Sequence, residues 1–475
     1  MRRTTVWGVS GWLLAVGCGD PVATTDTSGS SGSTSAGAST TATSSSGGPG
    51  SSGTVPTSTG GSASDSDTGE PTSSGETASS GAVSVTGSSS GDSSSSSSST
   101  GEGTTGEPPP ELGPFDVDDL DAGPGHVCAV LHSGRVKCWG GYSDSGDLGV
   151  GDTKPYGTMP GTMGNNLPFV DLGKDVLATA ITSYYHGCAI VTGEQLKCWG
   201  QGTFGALGSG ASDNVGDEPG EMGDLLQVVN LGAGRTVKRV IAAVWTTCAV
   251  LDNATAKCWG WNSNGWLGLG DVNDRGDAPG EMGDALPAID FGPGRTVQSI
   301  AIDNSHACAL LDDATVKCWG QHSEGNLGLG VPGVGSVGDG PGEMGAKLPI
   351  VDLGKGRTVK QLAVGVSHSC VILDNDKVKC WGSNGQGQLG LGDTNNRGDG
   401  PGEMGDALAY VDLGAGRTAL QIAASYFHSC AILDNHDLKC WGQGAFGANG
   451  QGEIQNRGDA PGEMGDALPY VDLGM

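Results

Sequence analysis

Two cysteines with nine residues between them, the second set in Lys-Cys-Trp-Gly, recur six times in this chain. The pairs are Cys128/Cys138, Cys188/Cys198, Cys248/Cys258, Cys308/Cys318, Cys370/Cys380 and Cys430/Cys440. The first cysteines of successive copies lie 60, 60, 60, 62 and 60 residues apart. Such a period constrains the fold more than composition does. Each copy is one supersecondary unit that buries its apolar face only against its neighbours, as in a propeller, solenoid or array.

Within a copy, a short apolar run (Ile300 to Ile302, for instance) leads into His-x-Cys-Ala-x-Leu. A polar turn, Val-Lys-Cys-Trp-Gly, Gly-x-Leu-Gly-x-Gly and a polar loop follow, and then a fourth run such as Leu348 to Leu353. Short β-rich runs bounded by Gly, Asn, Asp and Pro read as strands. No stretch in the repeats carries the spacing of a long amphipathic helix. Four strands per copy, repeated radially, predict an all-β, closed propeller of six four-stranded blades over residues 113–475. A three-residue turn at Asp312 to Ala314 sets Cys308 opposite Cys318, close enough to be bridged. Six hairpin disulfides are therefore expected. Reduced, buried pairs are the alternative, and structural zinc prefers a shorter Cys spacing.

The motif His306-x-Cys-Ala-Leu-Leu, Val316-Lys-Cys-Trp-Gly320, Gly325-Asn-Leu-Gly-Leu-Gly330, with its copy Gln386-Gly-Gln-Leu-Gly-Leu-Gly392, resembles the regulator-of-chromosome-condensation repeat family. The resemblance covers roughly residues 113–475 and implies a propeller. Two departures stand out: the familiar family member has seven blades against six here, and the cysteine pair is an addition. The family's eukaryotic prototype implies a guanine-nucleotide exchange or regulatory role. Its secreted bacterial relatives, some of which clamp a β-lactamase with one propeller face, imply protein binding.

The N-terminal quarter reads differently. Arg2 and Arg3 precede an apolar run, Val6 to Gly17, too short to span a bilayer. Ala15-Val16-Gly17-Cys18 resembles a lipoprotein cleavage box, and Cys18 is the thirteenth cysteine, left over from six pairs. Residues 1–18 are thus expected to be a lipoprotein-type signal peptide with lipidation at Cys18; an ordinary secretory signal is the alternative. Export would place the other twelve cysteines where disulfides persist. Residues 19–112 are Ser, Thr and Gly with scattered acids, including seven consecutive serines from Ser93 to Ser99. Such a segment reads as a disordered linker, a stalk between anchor and head.

The tryptophans of the repeated Trp-Gly read as packing. The preceding lysines, Lys137 to Lys439, could pair across strands with Asp171, Asn230, Asp290, Asp352, Asp412 and Asp472. His126, His186, His306, His368 and His428 read as hydrogen-bonded loop histidines, since a propeller spreads them around its axis rather than onto one metal ion. The loops at Asp271 and Asp393 look faintly like calcium loops, with Arg275 and Arg397 where an oxygen ligand is wanted. The same arginines, and Arg457, begin Arg-Gly-Asp tripeptides. The methionines of the recurrent Pro-Gly-Glu-Met-Gly, Met222 to Met464, read as pins for the long loop.

Positions that vary between copies are the candidates for contact: Tyr184 and Tyr185, Trp245, Tyr426 and Phe427 before the histidine register, and Tyr142, Phe204, Trp261, Trp266 and Phe446 after Trp-Gly. Asp303-Asn304 and His322 vary at the same places. No nucleophile–base pair, phosphate loop or paired acid stands out, and no cofactor is expected. The formal charge of −29 speaks against nucleic acid as a partner. The sequence thus predicts a monomeric cell-surface or secreted binding scaffold for an extracellular protein or other macromolecule, touching a membrane only through a lipid anchor. An extracellular polysaccharide-active enzyme, with acids or histidines converging on one mouth, is a further alternative.

Overall fold

The computed structural model of the protein describes residues 117–474 apart from Tyr142, Ser143 and Val334. Residues 1–18 with Cys18, the linker to residue 112, and Tyr142 lie outside the described residues.

Each repeat forms one three-stranded antiparallel meander. The first is β1 (Val117–Gly123), β2 (His126–Leu131) and β3 (Val136–Gly140). The second is β4 (Ala178–Ser183), β5 (His186–Val191) and β6 (Gln195–Gly200). The third is β7 (Val237–Ala242), β8 (Thr246–Leu251) and β9 (Ala256–Gly260). Next come β10 (Val297–Ile302), β11 (His306–Leu311) and β12 (Val316–Gly320), then β13 (Val359–Val364), β14 (His368–Leu373) and β15 (Val378–Gly382). The last repeat is β16 (Ala419–Ser425), β17 (His428–Leu433) and β18 (Leu438–Gly442).

Register follows the turn chemistry. Leu311 N donates to Thr315 O and Ala314 N to Leu311 O, both at 2.9 Å, around the turn Asp312 to Ala314. Ala314 takes the left-handed conformation, φ 60°, that a three-residue hairpin requires. The register then sets Cys308 of β11 opposite Cys318 of β12. The second and third strands of the other repeats pair in the same way. Cys128 faces Cys138, Cys188 faces Cys198, Cys248 faces Cys258, Cys370 faces Cys380 and Cys430 faces Cys440. All six pairs are disulfide-bonded, Cys128–Cys138, Cys188–Cys198, Cys248–Cys258, Cys308–Cys318, Cys370–Cys380 and Cys430–Cys440, with Cα atoms 4.0–4.1 Å apart. Every bridge lies inside one repeat and none crosses a joint.

The expected fourth strand does not form a ladder. Val351 N donates to Val316 O at 2.9 Å, and Val411 N to Val378 O likewise, but no strand pairing continues from either bond. In the second repeat the same run makes one isolated bridge, Lys197 with Val228. Proline stands second in this run at Pro168, Pro287, Pro349 and Pro469, where it removes a donor. Further on, the Asp290 carboxylate accepts from Gly292 N at 2.8 Å and bends the chain away. The fold is therefore all-β with six three-stranded sheets, each flanked by an extended segment.

Five apolar cores lie between successive repeats. Among the described residues, none of these cores joins the sixth repeat to the first, so the expected closure has no apolar joint of its own. In one core Cys248, Val250, Cys258, Leu267 and Ile289 of the third repeat meet Ile300, Ala309, Leu311 and Trp319 of the fourth. Three polar contacts recur at these joints. Each tryptophan indole from Trp199 to Trp441 donates to a loop carbonyl of the preceding repeat at 2.9–3.1 Å. Histidine Nε2 meets a hydroxyl of the next repeat: His126 with Ser183, His186 with Thr247, His306 with Ser369 and His368 with Ser429.

The third contact corrects the lysine–aspartate expectation. Lys379 Nζ donates to Leu353 O at 2.9 Å and Gly405 O at 2.8 Å, and the other buried lysines repeat this pair of acceptors. The lysine ends between two chain bends whose carbonyls have no ladder partner, and an unpaired buried acceptor is costly. The aspartates instead accept from the glycine amide two residues on, as Asp352 does from Gly354 at 3.0 Å.

Candidate binding surface

The first strands of all six repeats line one cavity of about 1970 Å³. Its two ends differ in chemistry because they lie at opposite ends of those strands. Where the strands begin, charges are paired: His132 with Asp118, Lys238 with Glu194 and Lys360 with Asp376. Where they end, short turns lead into the second strands, and the variable residues gather there.

One hydrogen bond per repeat builds this end. The residue after Trp-Gly donates its amide to the carbonyl at the hairpin tip: Gln201 to Tyr185, Trp261 to Trp245, Gln321 to Ser305 and Gln443 to Phe427, at 2.8–3.1 Å. Two variable positions distant in sequence are thereby neighbours in each of these repeats. In the third repeat both are tryptophan. Trp245 and Trp261 meet edge to face at 5.1 Å, and Phe204 of the second repeat lies 5.6 Å from the first and 5.8 Å from the second. Trp245 Nε1 donates to Gln201 Oε1 at 3.1 Å.

The other aromatic candidates divide. Tyr184 and Tyr185 pair edge to face at 5.2 Å, and Tyr426 with Phe427 at 5.1 Å. Tyr184, Tyr185, Trp245, Trp261 and Tyr426 line the cavity; Phe204, Phe427 and Phe446 do not. Trp266 also lines the cavity, but it is almost wholly buried and donates to Ser305 O at 2.8 Å, so most of its ring packs between the third and fourth repeats. Phe446 is 74% exposed on the last repeat, apart from the cavity.

Asp303 and Asn304 complete this end. Burial pushes the Asp303 carboxyl up to about 7, against a hydrogen bond from Asn304 N. Asn304 reaches the Tyr184 hydroxyl across the mouth, and its Oδ1 is buried with no partner among the described residues. Asp121 is held similarly: desolvation raises it to about 7, while Ser183 N and the Thr182 hydroxyl donate to it. Sequence reasoning noted Asp303 and Asn304 at a variable place, but put only the aromatic residues there forward as contacts.

The calcium-like loops are closed by their own arginines. Arg275 donates to Asp271 Oδ2 at 2.7 Å and to Asn273 O at 2.8 Å, filling the place an ion would take, and Arg397 repeats this. Among the described residues no three His, Cys, Asp or Glu side chains come together as a metal site.

Models of the regulator of chromosome condensation (RCC1) repeat match residues 359–388, 420–448 and 375–432. The fifth and sixth repeats thus match the RCC1 repeat. The ultraviolet-B receptor UVR8 of Arabidopsis thaliana is 25% identical over 398 residues, covering 72% of this chain and 81% of the receptor. The human E3 ubiquitin-protein ligase HERC2 is 28% identical over 266 residues, covering 55% of this chain and 5% of the ligase. Among solved structures, human WBSCR16 matches at TM-score 0.54 and 16% identity, over 73% of this chain and 83% of its own. Yeast RCC1 (Prp20), solved with Kap60 bound, matches at 0.51 and 15% identity, over 74% of each chain. These likenesses fix an RCC1-like propeller fold.

Proposed function

We propose that this RCC1-repeat protein is an exported binding scaffold that presents the aromatic end of its central cavity to an extracellular protein or other macromolecule. One observation carries the reading. The repeated Trp, Lys and His residues are engaged in joints between repeats, whereas the variable aromatic residues converge on one end of a cavity about 1970 Å³ in volume. A rigid frame with rings gathered on short turns is the usual construction of a recognition surface. The solved complex of yeast RCC1 (Prp20) with Kap60 gives a precedent for protein binding in this fold.

The setting belongs to the same proposal. Cys18 is the lipid attachment point, residues 19–112 are the tether, and an oxidising compartment maintains the six cysteine pairs. Nucleotide exchange on a cytosolic GTPase fits that setting poorly.

Photo-crosslinking of the purified full chain to intact cells and their extracellular matrix tests the reading. A partner should be captured by the wild type and lost with Trp245→Ala and Trp261→Ala together. Capture that is indifferent to both replacements would refute it.

A further inference from the structure

We propose that the aromatic end of the cavity binds a neutral oligosaccharide: Trp245 and Trp261 offer indole faces, and Asn264, Gln321, Asn304 and Asp303 offer hydrogen-bonding groups around them. The inference rests on the binding-scaffold reading and supplies its ligand class.

Four observations lead to it. Both indoles line the cavity and are partly exposed; Phe204 stacks on Trp261 at 5.8 Å and Trp266 meets it edge to face at 4.4 Å, so the part of each indole that faces the cavity is what a sugar's C–H face would meet. Asn264 and Gln321 line the same end and bring amide donors and acceptors. Asn304 Oδ1 is buried without a partner among the described residues, an acceptor that a hydroxyl would satisfy. The cavity's lysines and arginine, Lys238, Arg239 and Lys360, stand at the start of β7 and β13, at the other end.

That distribution separates ligand classes. Phosphate, sulfate and nucleic acid need cations, and those sit at the far end. A basic peptide needs free carboxylates, but at this end Asp121 and Asp303 are partly buried and already accept main-chain hydrogen bonds from Ser183 and Asn304. An apolar peptide would leave the amides and Asn304 unpaired at a cost. A polyol both donates and accepts at each hydroxyl and carries apolar C–H faces, so it matches every group present. The raised Asp303 carboxyl strengthens the match, since in its neutral form it also donates.

An array of neutral oligosaccharides, hexamers of glucose, mannose, galactose and N-acetylglucosamine in their common linkages, tests this with the full chain. Hits are then titrated in solution by tryptophan fluorescence. At least one hexamer should bind, and Trp261→Ala should weaken it roughly tenfold or more. Gln321→Ala or Asn264→Ala, which leave the aromatic packing alone, should weaken it measurably too. No retained neutral hexamer, or affinity unchanged in all three variants, would overturn the proposal. A blank array alongside Trp-dependent crosslinking to a protein would sink the ligand class and leave the scaffold reading standing. A blank array with no crosslinking would sink both.

Discussion

The Trp381 indole donates to the carbonyl of Asn326, 2.9 Å away, across the joint between the fourth and fifth repeats. Trp381 is fully buried there, whereas Trp139 of the first repeat is half-buried. Trp381→Ala should therefore cost about 3–5 kcal/mol, the range for truncating a buried aromatic, and Trp139→Ala clearly less. Denaturant titrations of the two variants check this. Equal losses would show that the joint does not set the difference.

The lysine contacts make a sharper distinction. Lys379→Met should destabilise by about 1–3 kcal/mol, because Leu353 O and Gly405 O lose their donor. Asp352→Asn should be close to neutral, since an amide oxygen also accepts from Gly354 N and the second repeat naturally carries Asn230 at this place. A large loss in Asp352→Asn would restore the ion-pair reading.

Burial lowers His306 to about 3, with the nearby His322 adding to the shift. The folded state thus binds the proton less readily than the unfolded chain, whose histidine titrates near 6.5. Stability from this group is complete above that value and is lost as pH falls towards 3. Asp121 runs the other way: raised to about 7, it loses stability as pH climbs from about 4 towards 7. The two trends overlap, so single-site differences are informative and the total profile is not. His306→Gln should flatten the fall between about pH 6.5 and about pH 4 by up to about 1.4 kcal/mol per pH unit. An unchanged slope would mean that His306 is protonated in the fold.

Each cysteine pair closes a short hairpin, and chain-entropy models give it about 2–3 kcal/mol at most. Replacing Cys308 and Cys318 together by alanine should lower the melting temperature by several degrees. Non-reducing peptide mapping should find only pairs within a repeat, from Cys128–Cys138 to Cys430–Cys440. Links between repeats, or free thiols in exported protein, would contradict the hairpin pairing.

The anchor has its own test. The mature chain should begin at a lipid-modified Cys18, be sensitive to globomycin in processing, and partition into detergent. A soluble product starting at another residue would rule this out.

Sheet register was legible because Asp312 to Ala314 is a turn of defined length, and two cysteines at equal distances from its centre must face each other. The aromatic candidates were legible as departures from a repeated pattern, and six of them do line one cavity. Trp266 was not separable from Trp261 by sequence, since both follow the same Trp-Gly; only the neighbouring repeat's Ser305 carbonyl makes one of them core. The fourth run misled because its alternating pattern looks like a strand. The Asp–Gly or Asn–Gly bend that ends it in all six copies, joined by a proline in four of them, denies it a ladder, and that decision depends on donors rather than on hydrophobicity. The lysine acceptors were hidden for a related reason: main-chain carbonyls left over by a missing ladder have no letter in the sequence.

Each joint has a sense of direction, with the later repeat's indole and lysine reaching back to the earlier repeat's loops and, at every joint but the one after Thr246, the earlier repeat's histidine reaching forward. Any copy therefore carries both halves of the same coupling. A gene segment encoding one whole repeat could be duplicated or lost in register without inventing a new contact, while the hairpin tips remained free to diverge. The 62-residue spacing shows where length can be absorbed meanwhile: the extra residues fall in the loop around Val331 to Gly335, beyond the Gly325 to Gly330 segment and away from the cavity-lining tips. Recognition and propagation of the array are in this way written in different parts of the same sixty residues.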